Sequence, residues 1–240
     1  MHKVKRAVIM AAGKGNRMLP VTLTTPKPLV RVNGWRMIDS VIHALHRNGI
    51  TELYVVVGYL KEAFAGLPEE YPGLTLIENP WYDTCNNISS LYAAREYLED
   101  AMILDGDQMI FDESVLSPEF VCSGYNGVWT DEWTDEWLMT AEDGIVTQCS
   151  RTGGEKGWQL YSISRWSAED GRKLRRHLEM EFEEKSNRQI YWDDVVMFCY
   201  PEAYRLGVYP MSTGAVQEID SLRELAAADA SYKKYLEENT

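Results

Sequence analysis

The sequence predicts an open α/β fold with a mainly parallel central sheet, on the strength of three observations. Short apolar runs alternate with helix-like segments through the first half of the chain. The second half changes to runs typical of antiparallel strands, two of them joined by a tight turn at residues 142–144. The 240 residues are enough for one large domain with a substantial core. Strands that alternate with helices form parallel sheets with helices packed on their faces.

The elements of the first half follow one another in a regular order. Strands are predicted for the β-branched and aliphatic runs at residues 6–12, 52–58, 74–79 and 101–107. Helices are predicted for segments with apolar residues at helical spacing, residues 37–49, 59–67 and 87–100. Ligands of open α/β sheets bind outside the carboxyl ends of the strands. The turns after the first and fourth strands therefore mark the expected site.

The second half is predicted to be rich in antiparallel strands. Strand-like runs occupy residues 125–133, 136–151, 157–166 and 205–211, and a charged helix is predicted over residues 168–185. The last segment pairs a strand end with a helix start that is capped by Asp220 or Ser221. No linker rich in Pro, Gly or Ser separates the halves. We therefore expect a single domain over residues 1–240 with a lid-like insert.

Charge and composition exclude several classes of protein. The chain carries 37 acidic and 24 basic residues, a net charge of −13, whereas a nucleic-acid or anionic-membrane binder needs a broad basic surface. No segment approaches the roughly 20 apolar residues of a membrane span. Four cysteines without metal-like spacing indicate free thiols in a reducing compartment. The N-terminal segment has no signal-peptide cleavage site, so we expect a cytoplasmic protein.

The turn after the first strand, AAGKGNR at residues 11–17, has the features of an anion site. Gly13 and Gly15 allow the backbone N–H groups to approach a ligand, and Lys14 and Arg17 add positive charge. The turn lacks the third glycine of the dinucleotide fingerprint and the Gly-Lys-Ser/Thr of the Walker pattern. It therefore indicates an anionic ligand held in neither of those two ways.

The longer stretch MAAGKGNRMLPVTLTTPKPLVRVNGWRMID resembles the signature of the sugar-phosphate nucleotidyltransferase superfamily, in which A-A-G-x-G-x-R precedes a Pro-Lys-x-Leu segment. The later blocks CNNISSLYAA, LDGDQMIF, QIYWDDVV and EIDSLREL resemble its bacterial phosphocholine and 2-aminoethylphosphonate cytidylyltransferase branch. The resemblance extends from Ala7 to about Leu225. It implies a Rossmann-like nucleotidyltransferase fold with a β-rich acceptor-binding insert, and CTP as the nucleotide. The nucleotide-binding half would span residues 1–120 and the acceptor-binding half residues 121–240.

The resemblance also implies which residues handle the nucleotide. Arg17 and Lys27 are expected to be catalytic, Arg17 on the β- and γ-phosphates and Lys27 on the α-phosphate and the acceptor phosphate. Two flanking prolines restrict the backbone and pre-set the direction of Lys27. The remaining nucleotide-binding candidates are Ala12, Gly13, Lys14, Gly15, Asn87, Ser90 and Asp105. Asp105 has a structural alternative, and the polar residues at the start of the 87–100 segment could instead cap that helix.

Two carboxylates are expected to hold a divalent metal ion. Asp107 follows the fourth strand, and the family pairs its counterpart with the counterpart of Asp220. Mg²⁺ is the expected ion, because it binds one or two carboxylates and completes its shell with phosphates and water. Glu218 lies beside Asp220 by strand alternation, and its role stays open. The alternative for Asp220 is a helix N-cap.

Aromatic and acidic residues of the second half predict a pocket for an organic cation. The cluster comprises Trp133, Trp137, Trp158, Tyr191, Trp192, Asp131, Glu132, Asp135, Glu136, Asp193 and Asp194. Aromatic faces attract cations by roughly 0.5–2 kcal/mol, and a primary ammonium also needs hydrogen-bond acceptors. The acceptor-binding candidates are Trp137, Asp193, Trp192 and Trp133. A place in the hydrophobic core is the alternative for each tryptophan.

These features predict a Mg²⁺-dependent cytidylyltransferase. The expected reaction transfers CMP from CTP to phosphocholine, giving CDP-choline and pyrophosphate, with 2-aminoethylphosphonate as the alternative acceptor. A sugar-1-phosphate enzyme and an inert nucleotide-sensing module are less favoured, because the acids and tryptophans suit a cation and the signature residues are all present. The sequence leaves open whether the protein is a homodimer and whether it has a fusion or pathway partner.

Overall fold

The computed structural model describes residues 1–237. Its strands, in chain order, are β1 His2–Lys3, β2 Arg6–Ala11, β3 Arg31–Val32, β4 Trp35–Arg36, β5 Glu52–Val57, β6 Leu74–Glu78, β7 Ala101–Asp105, β8 Gln108–Ile110, β9 Glu119–Phe120, β10 Gly124–Thr130, β11 Leu138–Glu142, β12 Ile145–Ser150, β13 Gly157–Trp166, β14 Gly207–Pro210 and β15 Val216–Glu218. Its α-helices are α1 Met37–Arg47, α2 Leu67–Glu70, α3 Ile88–Ala93, α4 Ala168–Glu179, α5 Trp192–Asp194, α6 Leu222–Ala228 and α7 Lys233–Glu237.

Nine strands form the central sheet, in the order β10–β14–β12–β11–β13–β7–β2–β5–β6. The four strands predicted for the first half, β2, β5, β6 and β7, are mutually parallel. The long strand β13 joins the two halves, since its last four residues pair antiparallel with β7 and its first residues pair with β10 and β11. The predicted open α/β architecture with a β-rich second half is confirmed.

Helices cover both faces of the parallel strands, as the alternation of strands and helices predicts. On one face, α1 buries Ile38, Val41, Ile42 and Leu45 completely. These positions share one side of a helix, and full burial of each side chain stabilises the fold by about 1.5–3 kcal/mol. On the other face, α3 and α4 pack with α5 around a second core cluster. The carboxyl ends of β2 and β7 are left open between these layers.

Several helices differ from their predicted lengths. The segment 87–100 forms α3 and a tight 3₁₀ turn, because the left-handed conformation of Asp100 redirects the chain into β7. The segment 59–67 forms only a 3₁₀ turn, Lys61–Phe64, ahead of α2. The charged helix continues from α4 into a wider π-helical turn, Met180–Glu184. None of these changes moves the sheet edge where the site is expected.

A short antiparallel pair completes the fold beside the open edge. Strand β8, directly after β7, pairs with β15 near the end of the chain, so that Gln108 lies opposite Glu218. The four cysteines are free thiols, as predicted. Within residues 1–237, every helix is too short or too polar to cross a membrane.

Candidate active site

A cavity of about 520 Å³ opens at the carboxyl ends of β2 and β7. This is the edge at which the sequence predicts a ligand site. Twelve of the predicted site residues line the cavity: Ala12, Gly13, Gly15, Arg17, Lys27, Asn87, Ser90, Asp105, Asp107, Trp137, Asp193 and Asp220. They come from both halves of the chain, so the cavity joins the glycine turn to the aromatic cluster.

The glycine turn is shaped by Gly15 and leaves space at Gly13. Gly15 has a φ of 64°, and a Cβ atom there would lie 3.0 Å from Cγ2 of Thr22 and 3.1 Å from Cβ of Lys27. The Thr22 hydroxyl donates a hydrogen bond to the Gly15 carbonyl at 2.9 Å. A Cβ on Gly13 would meet nothing within 4 Å. The turn is therefore packed on the segment that carries Lys27, while Gly13 faces open cavity.

Lys27 lies at the centre of a charged cluster on the cavity wall. Its Nζ atom is 2.6 Å from Oδ2 of Asp107 and 2.5 Å from Oδ1 of Asp220, and the residue is only 8% exposed. Burial lowers the pKa of Lys27, but the two carboxylates outweigh it and hold the pKa above its ordinary value. Arg17, whose side chain is largely exposed, has Nη2 3.2 Å from the same oxygen of Asp220. Both predicted cations thus lie within reach of one anionic ligand.

Strand pairing brings the two predicted metal ligands together. Asp107 directly precedes β8 and Asp220 follows β15, so the β8–β15 pair places both carboxylates on Lys27. The helix N-cap is Ser221, whose hydroxyl accepts a hydrogen bond from the Glu224 N–H. The side chain of Asp220 therefore does not cap α6. Burial raises the pKa of Asp220, but Lys27 and Arg17 more than reverse this, so the net pKa is lowered.

The cavity lining has more acidic than basic side chains. Six carboxylates line it against two cations, Arg17 and Lys27; the acids are Asp105, Asp107, Glu136, Asp193, Glu218 and Asp220. Burial, with Asp107 and Glu218 nearby, raises the pKa of Asp105 well above its ordinary value. Burial likewise raises the pKa of Glu218 to about 7, and Asp107 and Asp220 add to this against a hydrogen bond from Gln108. Ligands that bring positive charge into this cavity would be favoured.

Trp137, Tyr191 and Asp193, from the second half of the chain, line the same cavity as the glycine turn. The rings of Trp137 and Tyr191 meet edge to face with centroids 6.0 Å apart. Asp193 is buried, and its Oδ1 atom has no hydrogen-bond partner among the described residues. Burial raises the pKa of Asp193 to about 7, although the nearby Tyr125 hydroxyl, which stops short of a hydrogen bond, opposes the shift. An unpartnered buried carboxylate beside aromatic rings is a suitable site for an ammonium group.

Asn87 and Ser90 lie on the helix α3 side of the cavity. Asn87 occupies the N-cap position of α3, yet its side chain makes no capping bond. Its Oδ1 atom instead accepts a hydrogen bond from the Trp192 N–H at 2.8 Å. The Ser90 hydroxyl accepts one from the Asn79 side chain at 3.0 Å. The capping alternative therefore does not apply to Asn87, and a nucleotide-binding role for both residues stays a prediction.

Three predicted residues lie outside the cavity lining. Lys14, within the glycine turn, forms an ion pair with Asp83 and does not line the cavity. The ring of Trp192 is buried in the core between Tyr125 and Trp166, as the alternative for the tryptophans predicts. Trp133 is 68% exposed. Their predicted roles in binding have no support from this arrangement.

Other cavity residues carried little or no signal in the sequence. Asn16, Leu160 and Ser162 line the cavity and were not among the candidates. Leu160 and Ser162 are two residues apart on β13, and strand alternation could have placed them on one face. Glu136 and Tyr191 also line the cavity. Both belong to the predicted acid–aromatic cluster, but the sequence does not single them out from its other members. For Asn16, proximity to Arg17 in the glycine turn is the only available signal.

The cavity fits a magnesium ion bound partly by its substrates. Asp107 and Asp220 each direct an oxygen at the same point, where Lys27 Nζ now lies. Among residues 1–237, no three His, Cys, Asp or Glu side chains are grouped so as to hold a metal ion by themselves. Mg²⁺ is usually bound by one or two protein carboxylates, and phosphate oxygens and water supply its other ligands. Two converging carboxylates fit this pattern.

Comparison with known proteins links the whole chain to nucleotidyltransferases. Residues 7–122 match the MobA-like NTP transferase domain. The chain is 41% identical to the 2-aminoethylphosphonate cytidylyltransferase of Lancefieldella rimae over 229 residues, 94% of this chain and 92% of that protein. It is 32% identical to the choline-phosphate cytidylyltransferase of Streptococcus pneumoniae over 221 residues, 91% of this chain and 94% of that protein. The solved structure of the CTP:phosphocholine cytidylyltransferase of S. pneumoniae aligns with a TM-score of 0.88 and 30% identity, over 95% of this chain and 99% of that one.

Proposed function

Because this chain belongs to the family of the bacterial 2-aminoethylphosphonate and choline-phosphate cytidylyltransferases, and its first half carries a MobA-like NTP transferase domain, we propose that it transfers CMP from CTP to 2-aminoethylphosphonate. The observation that carries the choice of acceptor is the buried carboxylate of Asp193, which belongs to the cavity lining and has no hydrogen-bond partner on Oδ1. The higher identity to the aminophosphonate enzyme, 41% against 32%, supports the same choice.

Asp193 favours an acceptor with a primary ammonium group. Such a group has three N–H donors, whereas a quaternary ammonium has none. A buried carboxylate without a donor costs free energy, and a donor supplied by the ligand removes that cost. The Asp193 carboxylate would therefore gain a charge-assisted hydrogen bond from an aminoethyl group that choline cannot provide.

Phosphocholine is the second candidate, as the sequence resemblance implies. The edge-to-face rings of Trp137 and Tyr191 offer aromatic surface of the kind that attracts quaternary ammonium ions. Since both acceptors present a cation at one end and a phosphorus oxyanion at the other, they would lie in the cavity in the same direction.

The reaction requires two anions to meet, and the residues around Lys27 reduce their repulsion. A phosphonate oxygen of the acceptor attacks the α-phosphorus of CTP, the new P–O bond forms, and the bond to the β-phosphate breaks to release pyrophosphate. We assign Lys27 to the reacting oxygens, where charge accumulates in the transition state, because it is buried and already charged. Arg17 and the amides of the glycine turn would bind the leaving pyrophosphate.

Asp107 and Asp220 would hold Mg²⁺ beside Lys27. The ion, when bound, neutralises phosphate charge and polarises the phosphorus–oxygen bonds. Lys27, which contacts both carboxylates, would lie next to the ion and face the incoming phosphates.

A pyrophosphate-release assay tests the proposal. Purified protein is supplied with CTP, Mg²⁺ and either 2-aminoethylphosphonate or phosphocholine, and the nucleotide product is identified by ³¹P NMR, with UTP and ATP as nucleotide controls. We expect kcat/KM for the aminophosphonate to exceed that for phosphocholine by about tenfold or more, the value of a single good polar contact. Asp193→Asn should remove most of that difference. Faster turnover of phosphocholine would reverse the choice of acceptor, and no pyrophosphate with either would contradict the proposal.

A further inference from the structure

We propose that Arg151 is a positioning residue for the acceptor pocket. Its guanidinium group pairs with Asp194 and lies beside the ring of Trp137, and it would thereby hold the turn that carries Asp193. This inference rests on the proposed function. Arg151 lies at the end of the β11–β12 hairpin and outside the lining of the cavity, so it would act on the acceptor only through its neighbours.

Asp194 and Asp193 are adjacent in sequence but have different environments. Oδ1 of Asp194 accepts a hydrogen bond from Nε of Arg151 at 2.6 Å and lies 2.5 Å from Nη2 of the same guanidinium, and Oδ2 accepts the Tyr191 N–H at 2.8 Å. The Asp194 side chain is 5% exposed and the Arg151 side chain 49% exposed. Both oxygens of Asp194 are therefore satisfied, whereas Asp193, which lines the cavity, has no hydrogen-bond partner on its buried Oδ1.

The guanidinium group also packs on the aromatic residues behind the pocket. Its carbon lies 3.5 Å from the centroid of Phe198 and 5.9 Å from that of Trp137, and those two rings are 5.4 Å apart. The Trp137 ring meets Tyr191 at 6.0 Å. Arg151 thus contacts the two residues, Trp137 and Asp194, that flank the Tyr191 and Asp193 walls of the pocket. A planar guanidinium can stack and pair at the same time, which a lysine ammonium cannot do.

Loss of Arg151 would leave a second unpaired carboxylate next to Asp193. Removing one partner of a buried ion pair leaves an uncompensated charge, and the neighbouring chain then rearranges or takes up a proton. Rearrangement of this turn would displace Asp193, and Trp137 would lose the guanidinium group that lies 5.9 Å from its ring. Both changes act on the acceptor end and leave the contacts between Lys27, Asp107 and Asp220 intact.

Steady-state kinetics of Arg151→Met and Arg151→Lys separates positioning from general stability. For Arg151→Met we expect the KM for the acceptor to rise about tenfold, equivalent to one contact, with the KM for CTP within about twofold of the wild type. For Arg151→Lys we expect an acceptor KM between those of the wild type and Arg151→Met, because the charge remains but the stacking is lost. The matched control is Arg172→Met, which removes an exposed arginine that pairs with Glu99 and should change neither KM.

The outcomes distinguish this inference from the proposed function. A wild-type protein that releases no pyrophosphate with either acceptor would overturn both. An active wild type, with an unchanged acceptor KM in both Arg151 variants or with equal rises in both KM values, would overturn the inference alone. If Arg151→Met does not fold, as judged by thermal unfolding, the charge-conserving Arg151→Lys still decides by the ratio of its two KM values.

Discussion

The Nζ atom of Lys27 lies 2.5 Å from Oδ1 of Asp220, although 193 positions separate the two residues in the chain. The same carboxylate oxygen lies 3.2 Å from Nη2 of Arg17. One acid from the end of the chain therefore orients both cations from its beginning. Because Asp107 also contacts Lys27, the four residues form a connected cluster on the cavity wall.

Replacing Lys27 by Met should reduce kcat by about 10²–10³-fold, the usual effect of removing one group that stabilises transition-state charge. Lys14→Met is the matched comparison, because Lys14 is a lysine of the glycine turn that pairs with Asp83 and does not line the cavity. We expect a change of less than about threefold for Lys14→Met, since exposed ion pairs contribute little. Initial rates at saturating CTP and acceptor measure both. Comparable losses in the two variants would contradict the central role of Lys27.

Asp107→Asn should remove most turnover while the protein stays folded. The amide keeps the shape of the side chain but lacks the charge that Mg²⁺ and Lys27 require. A Mg²⁺ titration of the rate, together with circular dichroism, checks this, and the exposed Asp131→Asn serves as the control. Near-normal activity at the same Mg²⁺ concentration would show that Asp107 does not bind the metal.

Gly15→Ala should destabilise the fold by about 1–3 kcal/mol, the cost of a left-handed conformation in a non-glycine residue. The added methyl group would also press on Thr22 and Lys27. Gly13→Ala has open space around its Cβ and should leave the unfolding midpoint unchanged. If the phosphates approach Gly13 as predicted, this variant will nevertheless bind CTP less tightly. Denaturant unfolding and CTP titration separate the two effects; equal stability of both variants would refute the distinction.

Trp137→Leu should raise the KM for the acceptor by about two- to thirtyfold, the range that a cation–π contact of about 0.5–2 kcal/mol implies. The KM for CTP should change little, because Trp137 belongs to the aromatic acceptor cluster and has no contact with Arg17 or Lys27 among those described. Trp35→Leu, at an exposed position outside the cavity, is the control. Equal losses in both KM values would assign Trp137 to the core instead.

Acceptor binding should strengthen as the pH rises through about 7, the pKa to which burial raises Asp193. Below this pH Asp193 is largely protonated and pairs poorly with an ammonium group, so kcat/KM for the acceptor falls by up to about tenfold per pH unit. The acceptor phosphonate and CTP titrate as well, and the ratio of wild type to Asp193→Asn at each pH cancels their contribution. A ratio that does not vary between pH 6 and 8 would contradict the prediction.

The same pKa shift predicts how stability depends on pH. A carboxyl group whose folded pKa lies above its unfolded value binds more protons when folded, so the free energy of unfolding decreases as the pH rises from about 4 to 7. Asp193→Asn, which cannot ionise, should therefore gain thermal stability relative to the wild type at pH 8 and gain less at pH 5. Thermal unfolding at the two pH values measures this, and an equal effect at both would contradict it.

The sequence was sufficient for the parallel half of the fold and for most of the phosphate end of the site. Periodicity and turn residues locate β2, β5, β6 and β7, and the motif around Gly13 and Lys27 is continuous in the chain. These signals are local in the sequence. The position of the site then follows, because ligands of open α/β sheets bind at the carboxyl ends of the strands. The convergence of Asp107 and Asp220 needed the family resemblance, because no local pattern reports the β8–β15 pairing.

The acceptor end was less predictable, for a physical reason. Trp137 and Trp192 are alike in sequence, since each is a tryptophan beside acids, yet one lines the cavity and the other is enclosed by Tyr125 and Trp166. Asp193 and Asp194 are adjacent, yet only Asp194 pairs with Arg151, which lies 43 residues away in the chain. Packing between strands and helices that are distant in the chain decides which member of such a pair faces the cavity. The local sequence does not contain this information.

The late position of β15 has a consequence for biosynthesis. A ribosome extrudes the glycine turn, Lys27 and Asp107 well before Asp220, so the proposed site is incomplete until β15 has been synthesised and pairs with β8. A chain terminated before Asp220 would lack one of the two proposed metal ligands.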